Sequence, residues 1–247
     1  MTYLWKYWRE SRITFAVGMA MVGLMLWAVL KMTFGGRDQA LQTTADISLL
    51  AGGLLVAPFS FLAWRFGSFG VGRDLGERSG SYLFTRPRSR AFFVWNDWCF
   101  GMAQMLVVVI AAYLVLAFGI YRATQDHTVR IAGETVSMYL IFGLHIVAGA
   151  LITGLIFGLT YLCSVLIKSR GLMLSVGILL AYLIAKAVIE YRWHVNLPGL
   201  TLSEFKQTPN GPIAFAPNLG LSIALRSGIA VLFPIAAQLL LQTRDID

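Results

Sequence analysis

The side chains best suited to chemistry crowd into residues 73–90: Arg73-Asp74-Leu75-Gly76-Glu77-Arg78-Ser79-Gly80-Ser81-Tyr82-Leu83-Phe84-Thr85-Arg86-Pro87-Arg88-Ser89-Arg90. Five of these residues are arginines, in a chain that is only 13% charged. Guanidinium groups at that density recognise carboxylates and phosphates, so the chemistry on offer is contact, with an acidic protein surface or with lipid phosphates. A Ser-Gly-Ser turn and Pro87 break the stretch into pieces. That pattern predicts a short helix over 77–84, with 87–90 as a turn into whatever follows.

Catalytic patterns are missing. The chain has no Gly-x-x-x-x-Gly-Lys-Ser/Thr, so it does not bind and hydrolyse ATP by that route, and it has neither His-Glu-x-x-His nor Gly-x-Ser-x-Gly. No cofactor or metal is expected. His127, His145 and His194 are far apart in sequence. His145 falls within an apolar run, where an ionisable group is a functional candidate; the competing reading is a neutral imidazole bonded to a neighbouring helix. Lys186 and Arg226 are also set into apolar runs, close enough to an end for their heads to snorkel to the headgroups. His145 and Arg226 are the candidates for lining a cavity. Asp97, beside Asn96, would either pair with a nearby arginine or sit at a solvated helix end. Cys99 and Cys163 lie in apolar surroundings and read as small hydrophobes, not as a disulfide framework.

The elements that must position these groups are membrane spans. With 57% hydrophobic residues and positive mean hydropathy, the chain departs from the soluble pattern of about a quarter charged residues. Apolar runs of spanning length occur at 13–30, 47–64, 98–120, 136–167, 172–189 and 220–241. The first is too long for a signal-peptide core and lacks a small-x-small cleavage site after it, so it reads as an uncleaved span. Residues 1–12 alternate Leu4, Trp5 and Trp8 with Lys6, Arg9 and Glu10, the pattern of an amphipathic helix lying in the interface. Residues 190–219 form the longest loop outside the spans. The expected fold is thus an all-α membrane protein, a single transmembrane domain over 1–247. It would have six transmembrane helices, an amino-terminal interfacial helix and a short cytoplasmic helix within 73–90.

Six spans place both termini on one side. Lysine and arginine then concentrate on that side, in 1–12, in 73–90, at Lys168 and Arg170, and at Arg244, which makes it cytoplasmic. The basic residues lie in short loops between spans, which excludes a nucleic-acid-binding domain. Ala150, Gly154 and Gly158 recur every four residues, a small-residue face that lets another helix come close, from this chain or from a second copy.

The order of these features resembles permease subunits of the ABC type-2 exporter family. There the loop between the second and third spans reads Glu, Gly, a hydrophobic pair, then Pro-x-Ser-Arg, matched here by Glu77, Gly80, Leu83, Phe84, Pro87, Ser89 and Arg90. The 164–171 turn and the 243–246 tail look like further family features. The resemblance implies a coupling helix that docks on a separately encoded ATPase, with Arg73, Asp74, Glu77, Arg78, Tyr82, Arg86, Arg88 and Arg90 as contact residues and Lys168 and Arg170 in a second cytoplasmic turn. It implies two ATPase copies holding ATP and magnesium, a second permease copy or a paralogue, and a place in the cytoplasmic (inner) membrane. This chain would itself be no enzyme. The competing readings are an ion-gradient-driven carrier or channel and a membrane scaffold of a larger complex.

Overall fold

The structure, a computed structural model, describes residues 3–34, 44–76, 89–123, 128–131, 134–167, 170–193, 205–206, 214–215 and 218–243. In chain order these form α1 (Tyr3–Phe34), α2 (Thr44–Gly67), α3 (Val71–Gly76), α4 (Arg90–Ala123), β1 (Thr128–Ile131), β2 (Glu134–Ser137), α5 (Met138–Ile167), α6 (Gly171–Trp193), β3 (Phe205–Lys206), β4 (Ala214–Phe215) and α7 (Leu219–Thr243). Among the described residues, five helices are long and apolar enough to cross a membrane: α1, α4, α5, α6 and α7. The chain is a multi-pass membrane protein. Helix α2 has 24 residues, about 36 Å at ~1.5 Å each, and its described apolar part is the shorter Leu55–Gly67. Six crossings were expected, and five are shown among the described residues.

Several boundaries differ from the expected ones. Helix α1 runs unbroken from Tyr3 to Phe34, so the amphipathic start and the first span are one continuous helix. The 98–120 span likewise begins earlier than expected, at Arg90, in the continuous helix α4. Each join lacks a proline or glycine, so nothing in the backbone interrupts the hydrogen-bond ladder. Pro58 sits inside α2 and Pro234 inside α7 without ending either helix. Two small antiparallel hairpins add to the helical fold. Strand β1 pairs with β2, Thr128 opposite Ser137, and β3 pairs with β4, Phe205 opposite Phe215.

Helix α5 is the hub. It packs against α2, α3, α4, α6 and α7, and half of its spanning window is buried, against 11% for α6 and for α7. The small-residue face contributes to this. A Cβ on Gly158 would stand 2.6 Å from Phe233 Cδ2 of α7, and one on Gly154 would meet Met102 of α4 and Ala230 of α7. The close neighbours of this face therefore belong to the same chain. Three buried hydroxyls of the hub bond within their own helix. Thr153, Thr160 and Ser164 each donate to a carbonyl one turn earlier at 2.8 Å, as buried hydroxyls in lipid require.

Helices α6 and α7 attach differently. The buried residues of α6 are Gly171, Ser175 and Leu179, all in its first half. Those of α7 are Arg226, Ala230, Pro234, Ala237 and Leu241, one continuous stripe at three- and four-residue spacing. The turn from α5 into α6 is tight: a Cβ on Gly171 would fall inside the van der Waals envelope of the Ser164 Cα and N atoms. Gly171→Ala is thus expected to lower stability by about 1–3 kcal/mol through overpacking against backbone. Gly177, in the same helix, has open space around it, and Gly177→Ala should be neutral or stabilising by up to ~1 kcal/mol. Parallel thermal unfolding of the two variants in detergent measures the contrast, and equal effects would refute it.

Candidate functional site

The arginine-rich stretch emerges from the structure at one end of the bundle, and its first turn is α3. Four devices fix α3. The backbone amide of Val71 donates to Asp97 Oδ2 of α4 at 2.7 Å, an N-terminal cap supplied from another helix. Gly70, at φ +80°, permits the sharp entry, and a side chain there would collide with the same carboxylate. Gly72 lies so close to α5 that a Cβ would be 2.5 Å from Ser164 Cβ. Val71 and Leu75 are buried with Phe93 and Val94 of α4, Tyr161 and Val165 of α5, and Ala237 and Leu241 of α7. A six-residue helix is too short to be stable alone, so these contacts with the bundle must supply its stability.

Charge ties α3 to the first helix. Lys6 Nζ of α1 pairs with the buried Asp74 carboxylate and stands 3.8 Å from Glu10. The adjacent Tyr7 hydroxyl donates to the Phe66 carbonyl of α2 at 3.3 Å, and its ring meets Phe100 of α4 edge-on. Gln104 Nε2 of α4 donates to Ser11 Oγ of α1 at 3.1 Å. The buried Asp97 carboxylate also interacts electrostatically with Tyr7 and Tyr161. On the far side of α4, Arg90 donates to the Leu241 carbonyl at the end of α7, where a cation complements the helix dipole, and Trp95 Nε1 donates to Gln238 Oε1 at 2.8 Å. The result is a polar knot joining α1, α3, α4 and α7 around the tail of α5.

The structure distributes the expected contact residues unevenly. Asp74 is turned inward and paired. Arg90 serves as a cap for α7. Arg73 is half-buried on α3, and Arg170 is exposed just before α6. Glu77, Arg78, Tyr82, Arg86 and Arg88 lie outside the described residues, as do Lys168 and the expected 77–84 helix. Asp97 is not at a solvated helix end: it is 1% exposed and holds a backbone amide. Sequence reading missed Lys6 as its own site residue, although the Lys6–Asp74 pair spans most of the first two helices. The alternation of Lys6 and Glu10 with aromatic residues was visible; the partner 68 residues away was not.

The two candidates for lining a cavity separate. His145 is buried, stacked on Tyr113 (centroids 5.8 Å apart, 11° between planes) and edge-on to Phe142. It is packing between α4 and α5. Arg226 borders a cavity of about 420 Å³ between α5, α6 and α7, and its Nη1 donates to the Ser222 carbonyl at 3.4 Å. Lys186 pairs with Glu190 one turn on in α6. Cys99 is exposed on α4, unlike the buried Cys163. Among the described residues, no group of three His, Cys, Asp or Glu is placed to hold a metal ion.

Removing the Asp97 carboxylate leaves the Val71 amide buried without its acceptor, which costs about 1–3 kcal/mol. Asp97→Leu should therefore release α3 first. The expected result is faster amide hydrogen exchange across residues 71–76, with the exchange of mid-α5 amides little changed; equal acceleration in both places would contradict the cap. No family model, curated protein or solved structure matches this chain.

Proposed function

We propose that the chain is the permease subunit of an ABC-type exporter, whose knotted end faces the cytoplasm and receives force from a separately encoded ATPase. The observation that carries this reading is the seating of α3. A very short helix, continuous in sequence with the arginine-rich 77–88 stretch, is fastened at once to α1 through Lys6–Asp74, to α4 through Asp97 and to α5 through Gly72 against Ser164. A displacement of α3 would reach three membrane helices directly through these contacts. Packed cores and fixed hydrogen bonds transmit such strain because they have little compliance.

The charge distribution supports the orientation. Lys6, Arg65, Arg73, Arg90 and Arg170 all flank the knotted end, and short basic segments stay on the cytoplasmic side. In this reading two copies, or one copy and a paralogue, assemble with two ATPase subunits in the cytoplasmic membrane. The weakly buried α6 and α7 supply apolar surface for lipid or for the second permease. ATP and magnesium stay on the ATPase, and the role of this chain is contact and force transfer.

The test is co-purification of the tagged chain with the ATPase encoded beside its gene. Recovery of the ATPase is expected in stoichiometric amount from wild type. A double charge reversal, Glu77→Arg with Arg86→Glu, is expected to cut recovery at least ~10-fold, the loss expected when charge pairs across an interface become repulsive. If no ATPase is recovered, or the double reversal leaves recovery unchanged, the reading fails. Substrate movement by the chain alone in liposomes without ATP would favour a gradient-driven carrier instead.

A further inference from the structure

The outward side of α1 carries cations at two depths. Trp5, Arg9, Arg12, Ala16, Trp27 and Lys31 are all exposed. With ~3.6 residues per turn they fall within about 100° of the helix circumference, so they form one stripe. The buried residues Tyr7, Ser11, Gly18, Val22 and Val29 occupy the opposite side, where α1 packs on α2 and α4.

Depth orders the stripe. Arg12 and Lys31 are 19 residues apart in an unbroken helix, ~28 Å at ~1.5 Å per residue. That matches a hydrocarbon layer ~30 Å thick. Lys31 Nζ stands 5.0 Å from the centre of the Trp27 ring, the aromatic and cationic pairing of a headgroup boundary. Arg12 therefore reaches the other boundary, at the knotted end, and Arg9 lies ~4.5 Å further out, at the level of the phosphates. On the inward side of the same turns, Lys6 is engaged with Asp74 and Ser11 accepts from Gln104. The two arginines point away from these contacts. Residues three apart on a helix are neighbours, with Cβ atoms ~5–6 Å apart, so both guanidinium forks can close on one phosphate. Directly below them, Ile13 is 69% exposed and the small Ala16 and Ala20 leave a shallow apolar track.

We propose that Arg9 and Arg12 bind one anionic phospholipid of the leaflet at the knotted end, their guanidinium groups on its phosphate and an acyl chain laid along Ile13 and Ala16. Two cations immediately above an apolar stripe complement an anionic headgroup and its hydrocarbon tail. A zwitterionic lipid brings its own ammonium group next to the arginines, so the pair selects a lipid of net negative charge. This surface stands apart from the ATPase reading, since neither α3 nor the 77–88 stretch contributes to it, and its test needs no ATPase.

Native mass spectrometry of the purified chain tests the proposal, with phosphatidylglycerol, phosphatidylcholine of the same acyl chains, and inorganic phosphate as probes. Wild type is expected to prefer phosphatidylglycerol by at least ~10-fold, the discrimination that two cations near a membrane surface confer. Arg9→Gln with Arg12→Gln should cut the preference to below ~3-fold. Lys31→Gln with Arg192→Gln removes the same charge from exposed positions at the opposite end, and should leave the preference within ~2-fold of wild type. Should the Arg9 and Arg12 double variant fail to fold, the lipid comparison in wild type decides the matter. Equal retention of the two lipids by wild type overturns the proposal, and so does an equal loss in both double variants, which would mark net charge alone. Inorganic phosphate binding as tightly as phosphatidylglycerol would mark a free-anion site. A lipid-free dimer that separates in the Arg9 and Arg12 double variant would mark a second copy as the occupant; either result also overturns it.

Discussion

Asp97 accepts the Val71 amide at 2.7 Å inside a membrane protein, and the arrangement of one whole end of the bundle follows from that contact. A carboxylate buried to 1% exposure is costly unless hydrogen bonds or charges compensate it. The first backbone amides of a helix are in the converse position, donors with no partner of their own. Each group resolves the cost of the other, which fixes where α3 begins. Once it begins there, Gly70 must take the left-handed turn, Asp74 falls opposite Lys6, and Val71 and Leu75 enter the cluster with Tyr161 and Leu241. No single one of these contacts would hold a six-residue helix, but together they leave it no alternative seat.

The same economy governs the hub. Helix α5 has neighbours on nearly every side and therefore no polar face, yet it carries Thr153, Thr160 and Ser164. Their hydroxyls return to the backbone of their own helix, and the Thr160 hydroxyl oxygen lies 3.3 Å from Ser175 Oγ of α6. In water such residues weaken a helix by competing for its carbonyls; in lipid the competition with solvent is absent, and the small side chains permit close approach. Close packing here is a matter of size and shape, because lipid is as apolar as leucine.

Much of this was legible in the sequence, and the limits have physical causes. Apolar runs of 18 residues or more identify the helices because the bilayer imposes their length. The Ala150-Gly154-Gly158 face announced close packing, but a periodicity cannot say whose helix approaches, and Phe233 and Ala230 answer that only in three dimensions. Helix ends were misjudged at Arg12–Ile13 and Asp97–Trp98, where polarity changes but the backbone has no reason to stop. The hairpins β1–β2 and β3–β4 were missed because strands of four and two residues carry too little pattern. Arg226 was legible as an oddity, a cation in an apolar run; the cavity beside it depends on how far α6 diverges from α5. His145 carried the same kind of signal and is stacked on Tyr113 with Phe142 edge-on to it.

The divergence of α6 and the rigidity of the knot are two consequences of one distribution of small and polar residues. At the knotted end, Gly72, Gly171 and Ser164 let three elements touch, and Lys6, Asp74, Asp97 and Arg90 lock them by contacts that lipid cannot replace. Towards the other end, the buried stripe of α6 runs out while that of α7 continues to Arg226, so the two helices share an anchor but not a path. A helix held at one end, with few buried contacts at the other, has low local stability where the contacts are few. Motion in this bundle is therefore expected to concentrate around the cavity, pivoting on the knot. The part of the chain that would receive force is the stiff part, and the part free to respond borders the buried cation.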